Sequence, residues 1–180
     1  MKKVTILALH LGYGGIENAV ATLANLLCEK YEVEILSVYR LYNEPVFDID
    51  ERVKIRYISN IKPNKKEMKF YLEKKNFKMF FKGIGKSLET GFVKYIKTAS
   101  VLRKLDCDVI ISTRTVHNML VSKFAPKKIR KIAWEHNHHN NNKKYINSLV
   151  KSCKGVNNLV LVSNELTKIY GNYLWKKAVY

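Results

Sequence analysis

Hydrophobic and polar positions alternate along most of the chain in the pattern of strands followed by helices. Residues 4–9 form a continuous apolar run, which predicts a buried strand, and residues 16–30 carry apolar side chains at helical spacing. Further elements follow downstream: strands at 33–39, 53–58, 108–112, 129–134 and 159–163, helices at 116–124, 143–152 and 165–174, and the start of a strand at 177–180.

This β-α-β order predicts one α/β domain, a doubly wound and mainly parallel Rossmann-like sheet of six or seven strands. The strand at 53–58 alternates apolar and polar residues, so we expect it nearer the edge of the sheet.

Residues 62–104 depart from this rhythm and form a basic helical insertion. Lysines and arginines far outnumber the acids Glu67, Glu73 and Glu89, and aromatic side chains recur near helical spacing. We predict two helices, broken near Gly83-Ile84-Gly85. A helix with an aromatic face and a lysine face suits an anionic membrane surface. The alternative is that the aromatics pack on the sheet while the lysines stay in solvent.

The net charge, the cysteines and the hydropathy of the chain indicate its kind of partner and its cellular compartment. The formal net charge is +18 over 180 residues, which favours anionic partners. Cys28, Cys107 and Cys153 are far apart and form no CxxC pair, so we expect a reducing compartment rather than a disulfide framework. No apolar run approaches the roughly 18 residues of a membrane span. A cytoplasmic protein is therefore expected.

The first candidate site is the glycine-rich turn after the first strand. In a parallel sheet, ligands bind beyond the carboxyl ends of the strands, and the next helix points free N–H groups at an anion. Gly12 and Gly14 fit the dinucleotide-binding pattern, but its third glycine falls on Glu17, so that motif fails. We favour contact with an anion over a simple tight turn.

Two further polar segments follow predicted strands. After 129–134, His136 could hydrogen-bond a sugar hydroxyl with Glu135 orienting it, whereas a merely solvated loop stays an alternative. Three histidines within four loop residues lack partners at a recognised ligand spacing, so no metal site is predicted. In residues 112–118, Arg114 or Asn118 could face a cleft, or the hydroxyls could only cap a helix.

Four motifs in this order resemble the N-terminal, acceptor-side half of bacterial glycosyltransferases of the retaining family 4, which have the GT-B fold. They are Gly-Gly-Ile-Glu-Asn at 14–18, Ser-Thr at 112–113, Ala-Trp-Glu-His-Asn at 133–137 and Leu-Val-Leu-Val-Ser-Asn-Glu-Leu at 159–166. The resemblance covers nearly the whole chain except the basic insertion.

The resemblance assigns roles to individual residues. It implies that Gly14 and Gly15 approach the donor diphosphate and that His136, as the catalytic residue, faces the transferred sugar. Glu17 resembles the acidic residue that follows the glycine loop in this family. The acceptor or sugar cleft would then be lined by Glu17, Arg114, Asn118, Glu135 and Asn137.

The resemblance also implies a reaction. A sugar would pass from a nucleotide-diphosphate sugar to a cell-surface polysaccharide, such as a capsule, or to a lipid-linked acceptor, with retained anomeric configuration. Neither a cofactor nor a metal is required if loop amides and basic side chains neutralise the diphosphate. The family's nucleotide-binding half is not found before Tyr180, so we expect the chain alone to be inactive.

Two other classes of function stay open. A basic nucleic-acid-binding module would explain the charge, but the helical spacing of the aromatics and the absence of known nucleic-acid-binding motifs disfavour it. A catalytically inactive interaction domain is the third class. For the enzyme we expect a cytoplasmic location, peripheral at the inner face of the plasma membrane.

Overall fold

The computed structural model of the chain describes residues 1–62, 73–74, 77–136, 142–164, 166–168, 170 and 178–179. Within them, strands and helices follow in the order β1 (Lys3–Ala8), α1 (Gly15–Leu27), β2 (Glu32–Tyr39), β3 (Lys54–Ser59), α2 (Phe77–Phe92), a π-helical segment (Val93–Lys97), α3 (Thr98–Arg103), β4 (Val109–Ser112), α4 (Thr115–Phe124), β5 (Arg130–Glu135), α5 (Lys143–Ser152), β6 (Asn158–Leu161) and β7 (Ala178–Val179).

The strands form one parallel sheet in the order β3-β2-β1-β4-β5-β6-β7. The chain adds strands on one side of β1 and then returns to add β4 on the other side. The point where the direction reverses therefore lies between β1 and β4. This topology confirms the predicted doubly wound Rossmann-like fold, and β3 lies at the edge as expected.

Successive residues of β1 face opposite sides of the sheet, which explains its unbroken apolar sequence. Ile6 is fully buried in a core with Val20 of α1, whereas Leu7 is fully buried in a second core with Leu102 of α3 and Leu120 of α4. Each such side chain stabilises the fold by about 1.5–3 kcal/mol. Helices therefore cover both faces of the sheet.

The predicted helix break at Gly83-Ile84-Gly85 is wrong. Helix α2 runs through these residues, and the irregular turn is the π-helical segment Val93–Lys97. Glycine costs a helix only about 1 kcal/mol per residue, so two glycines do not by themselves end it. The Tyr39 hydroxyl at the end of β2 donates to the Thr90 carbonyl at 2.9 Å, and the Thr98 hydroxyl donates to the Val93 carbonyl at 3.1 Å.

Some predicted elements fall partly outside the described residues. The first part of the basic insertion is mostly among them, at 63–72 and 75–76. After β6, the described positions 164, 166–168 and 170 are helical, in agreement with the predicted helix at 165–174. In the part of the chain that the structure describes, no helix is both long and apolar enough to cross a membrane.

Candidate functional site

The sheet topology brings three sequence segments together at its carboxyl edge. The loops after β1, β4 and β5 follow three neighbouring strands, because β4 lies between β1 and β5. Gly12–Gly15 follow β1, Thr113 and Arg114 follow β4, and His136 follows β5. The sequence segments that predicted a site therefore meet at the point where the strand order reverses, which is where ligands bind in such sheets, and we call this place the crevice.

The centre of this crevice is an ion pair between Glu17 and Arg114. Glu17 lies in the first turn of α1, is only 4% exposed, and its Oε1 accepts a hydrogen bond from Arg114 Nη2 at 2.7 Å. Arg114 is the residue before α4, in extended backbone. The carboxylate also faces the positive end of the α1 dipole, which favours its charge. The pair thus joins the start of α1 to the start of α4.

The two glycines before Glu17 have different surroundings. A Cβ atom on Gly14 would clash with Oε2 of Glu17, whereas a Cβ atom on Gly15 would meet nothing within 4 Å. Gly14 therefore makes room for the buried carboxylate. Gly15, the first residue of α1, leaves open space beside the first-turn N–H groups, which have no acceptor within the helix.

His10 is a member of the site that the sequence analysis missed. Its Nδ1 accepts a hydrogen bond from the Gly12 N–H at 3.2 Å and lies 3.6 Å from Glu17 Oε1. Burial lowers the pKa of His10, and Arg114 lowers it further, while Glu17 opposes both. The neutral ring uses Nδ1 as an acceptor, so its contact with Glu17 is not an ion pair. The only signal in the sequence was its position directly after β1.

His136 carries a buried ring nitrogen close to the ion pair. Its ring packs against Trp134 with 4.1 Å between ring centroids, and Nε2 is buried with no hydrogen-bond partner among the described residues. Burial lowers the pKa of His136, with a smaller contribution from the charge of Arg114 and an opposing one from Glu17. The ring is therefore neutral at pH 7 and lies within the field of the ion pair.

Arg114 also keeps an unused donor. Its Nε is buried and has no hydrogen-bond partner within the described part of the chain. Buried polar groups in folded proteins are nearly always paired. Arg114 Nε and His136 Nε2 are thus two buried polar atoms of this site for which the described residues supply no partner.

Two residues predicted to line the cleft, Asn118 and Glu135, make hydrogen bonds within the protein. Asn118 is fully buried, and its Oδ1 accepts a hydrogen bond from Ser112 Oγ at 2.6 Å, so it fastens α4 to β4. Glu135 is also fully buried, and its Oε1 accepts from the Tyr145 hydroxyl at 2.8 Å, which ties α5 to β5. That these side chains line the cleft stays a prediction. Asn137 lies outside the described residues.

His117 is a second histidine that the sequence analysis did not single out. It is fully buried in the first turn of α4, close to the crevice. Burial lowers its pKa to about 3, the charge of Arg114 adds to this effect, and the Leu7 carbonyl opposes it. His117 therefore stays neutral across the physiological range and belongs to the core beneath the site.

The described residues contain no cluster of three His, Cys, Asp or Glu side chains that could hold a metal ion. A cavity of about 300 Å³ lies at the opposite, amino edge of the sheet, among Lys3, Glu34 and Arg56. It is separated from the crevice by the length of the strands, and we do not include it in the site.

Comparison with solved structures supports the Rossmann-like fold. The chain superimposes on the apo form of a lipopolysaccharide outer core galactosyltransferase, WaaB, with a TM-score of 0.61 and 11% identity, covering 99% of this chain and 44% of that one. The two share the Rossmann-like fold of one half of a GT-B glycosyltransferase. No family model matches the sequence.

Two curated proteins are similar in sequence. An exopolysaccharide phosphotransferase of Streptomyces coelicolor is 30% identical over 132 residues, which is 68% of this chain and 14% of that protein. A Campylobacter jejuni α-1,4-N-acetyl-D-galactosaminyltransferase, named for a GalNAc-GalNAc-diNAcBac-PP-undecaprenol substrate, is 26% identical over 101 residues, or 56% of this chain and 28% of that protein. The chain therefore spans less than a third of either relative.

The different surroundings of the two glycines predict that adding one methyl group lowers stability at Gly14 much more than at Gly15. Gly14→Ala forces the Glu17 carboxylate out of its place, and we expect a free energy of unfolding lower by about 1–3 kcal/mol. Gly15→Ala is the matched control and should change stability by less than about 1 kcal/mol. Urea denaturation measures both. Equal effects at the two positions would contradict the assigned role of Gly14.

The buried His117 predicts a pH dependence of stability. Its pKa is about 3 in the fold, against 6.5 for a model histidine. Between these values the unfolded state binds more protons, so the free energy of unfolding should fall as the pH decreases, by up to about 1.4 kcal/mol per pH unit. His117→Leu should make this decline shallower, although His10 and His136 still contribute. Denaturation of both proteins from pH 7 to 4 tests this, and identical slopes would disprove it.

Proposed function

We propose that this chain is the acceptor-side domain of a retaining GT-B glycosyltransferase of the family 4 type. In this proposal it transfers a sugar, with a second, nucleotide-binding domain, from a nucleotide-diphosphate donor to a polysaccharide or lipid-linked glycan. The observation that carries the proposal is the crevice at the carboxyl edge, where the glycine loop, Arg114 and His136 meet around a buried Glu17.

The glycine loop and Arg114 suit the diphosphate of the donor. The open space beside Gly15 admits a ligand to the N-terminus of α1, where free N–H groups and the helix dipole favour negative charge. Arg114 adds a cationic donor whose Nε has no partner among the described residues. Because Glu17 holds the guanidinium through Nη2, the side chain is oriented before the ligand arrives.

His136 suits a sugar hydroxyl better than a proton transfer. The pKa of its imidazole is lowered by burial, so the ring is neutral and Nε2 can donate or accept one hydrogen bond. We assign His136 to the transferred sugar, as the family resemblance implies. Glu17 is a positioning residue in this proposal, since its carboxylate is buried and already paired with Arg114.

A second candidate differs in the group transferred. The Streptomyces relative is named a phosphotransferase, and the Campylobacter relative is named a glycosyltransferase. An anion-binding crevice suits the phosphorylated donor of either reaction. The products separate the two reactions, because glycosyl transfer releases a nucleoside diphosphate and transfer of a sugar phosphate releases a monophosphate.

The proposed anion site predicts where a diphosphate binds. In NMR spectra of the ¹⁵N-labelled chain, UDP or pyrophosphate at millimolar concentration should shift the amide signals of Gly14 and Gly15 and the Nε signal of Arg114. Arg114→Gln removes a charge-assisted hydrogen bond, worth about 1.5–3 kcal/mol, and should weaken binding roughly tenfold or more. Arg130→Gln, at the amino end of β5, is the matched control. Shifts confined to other surfaces would contradict the site.

The proposed reaction predicts how activity depends on His136. The 180-residue chain alone should release no nucleotide from UDP- or GDP-sugars, since the donor nucleotide needs the second domain. In a protein that joins this chain to such a domain, His136→Ala should slow transfer by about 10²-fold with an unchanged unfolding midpoint. A loss of stability with normal turnover would instead assign His136 a structural role.

A further inference from the structure

A second polar pocket lies at the carboxyl edge of the sheet, after β2 and β3. Arg40 is the first residue after β2, and Asn60 is the first residue after β3. The pocket has a volume of about 200 Å³ and is lined by Arg40, Tyr42, Asn43, Asn60 and Lys62. Because β2 pairs with β1 on the side away from β4, this Arg40 pocket and the crevice share one edge of the sheet.

The glycine loop lies between the Arg40 pocket and the crevice. The Val46 N–H donates to the Leu11 carbonyl at 3.0 Å, which fastens the segment after β2 to the start of the loop. A Cβ atom on Gly12 would lie 2.9 Å from the ring of Tyr42, so the loop and the wall of the pocket are in contact. A ligand that extends from one site to the other therefore passes over the glycine loop.

Protein contacts hold the guanidinium of Arg40 in place. Its Nη2 donates to the Asn43 carbonyl at 2.8 Å, and its central carbon lies over the Tyr57 ring, 5.3 Å from the ring centroid. No other side-chain hydrogen bond of Arg40 occurs among the described residues. A cation that is oriented before a ligand arrives loses less conformational entropy when it binds.

The Arg40 pocket carries more positive than negative charge. Arg40 and Lys62 line it, and none of the lining residues is acidic. The nearby acid is Glu44: burial raises the pKa of Tyr57, the charge of Arg40 lowers it, and the charge of Glu44 raises it. Two cations against one acid, in a chain with a net charge of +18, favour an anionic ligand.

The uncharged groups of the pocket suit a sugar. The side chains of Asn43 and Asn60 are exposed, and each amide offers donors and an acceptor for hydroxyl groups. Tyr42 is 48% exposed and Tyr13 of the glycine loop is 76% exposed, with 6.0 Å between the two ring centroids. Such rings offer apolar faces to the C–H groups of a sugar ring. The volume is below the roughly 300–1,000 Å³ of sites for larger ligands, so the pocket holds a single sugar unit.

We propose that the Arg40 pocket binds an acidic sugar unit of the acceptor glycan, one that carries a carboxylate or a phosphate. In this arrangement the two cations bind the anionic group, the two amides bind hydroxyl groups, and the two tyrosine rings contact the apolar side of the sugar. The inference rests on the proposed function and adds to it the chemical class of the acceptor. The neighbouring unit of the glycan then reaches over the glycine loop to the crevice.

NMR titration of the ¹⁵N-labelled 180-residue chain tests both requirements. The ligands are methyl glucuronide, glucose 6-phosphate, neutral methyl glucoside and inorganic phosphate. The two acidic sugars at millimolar concentration should shift the side-chain amide signals of Asn43 and Asn60 and the Nε signal of Arg40. The neutral sugar and inorganic phosphate should each bind about tenfold more weakly, because each lacks one set of the recognised groups. The stronger of the two acidic sugars identifies the anionic group.

Two substitutions test the cations. Arg40→Gln should weaken binding of the acidic sugars about tenfold, because it removes a charge-assisted hydrogen bond. Lys62→Gln changes an exposed side chain and should weaken binding roughly threefold. Lys54→Gln is the matched control, since Lys54 is an exposed lysine at the opposite, amino end of β3. Circular dichroism verifies folding, and Lys62→Gln keeps the test decisive if Arg40→Gln does not fold.

A third substitution tests the aromatic contact. Tyr13→Ala should weaken binding of methyl glucuronide roughly threefold and leave the binding of inorganic phosphate unchanged. Tyr95→Ala, at an exposed tyrosine of the π-helical segment, is its matched control and should change neither.

Any of four results overturns the proposal. These are no shifts with either acidic sugar, equal binding of the neutral sugar or of inorganic phosphate, equal effects of the test and control variants, and shifts confined to Gly14, Gly15 and Arg114. The last result would place the anion in the crevice. The proposed function fails separately, because the wild-type chain reports UDP at Gly14 and Gly15 and the acidic sugar at Asn43 and Asn60.

Discussion

The buried ion pair between Glu17 and Arg114 fixes the geometry of the crevice. A carboxylate that is 4% exposed needs a partner, because a buried charge left unpaired is strongly destabilising. The pair forces Gly14 to lack a side chain and draws the first turns of α1 and α4 together across the point where the strand order reverses. Its charges also act on the pKa values of His10 and His136.

The same pair limits what this domain can do alone. Glu17 neutralises much of the charge of Arg114, and the pKa values of His10, His117 and His136 are all lowered, so these rings add no positive charge at pH 7. A diphosphate would then be held mainly by helix N–H groups and by the remaining donors of one arginine. Such a crevice orients an anion better than it attracts one. In the proposed enzyme, tight binding of the nucleotide therefore requires the second domain.

The fold could be predicted well from the sequence because burial in a parallel sheet determines the residue type at each strand position. Strands buried on both faces are continuous apolar runs, and helix α5 was predicted with the bounds that the structure has. The direction in which each polar side chain points was not predictable in the same way. Glu135 is the last residue of β5 and Asn118 lies in the first turn of α4, close in sequence to His136 and Arg114. A polar residue type does not reveal whether its partner is a ligand or a side chain such as Ser112 or Tyr145. Only the assembled fold separates those cases.

The π-helical segment is a second feature that local sequence patterns did not predict. A π turn accommodates one extra residue without breaking the helix, and glycine is not required for it. Here Val93 and Thr98 are fully buried against the sheet, while Tyr95 and Ile96 between them stay exposed. Helix α4 packs beside α3, begins directly after Arg114, and with Val116 and Met119 lines a groove of about 440 Å³. One helix therefore connects the ion pair to that groove, so a change in how this helix packs would move both.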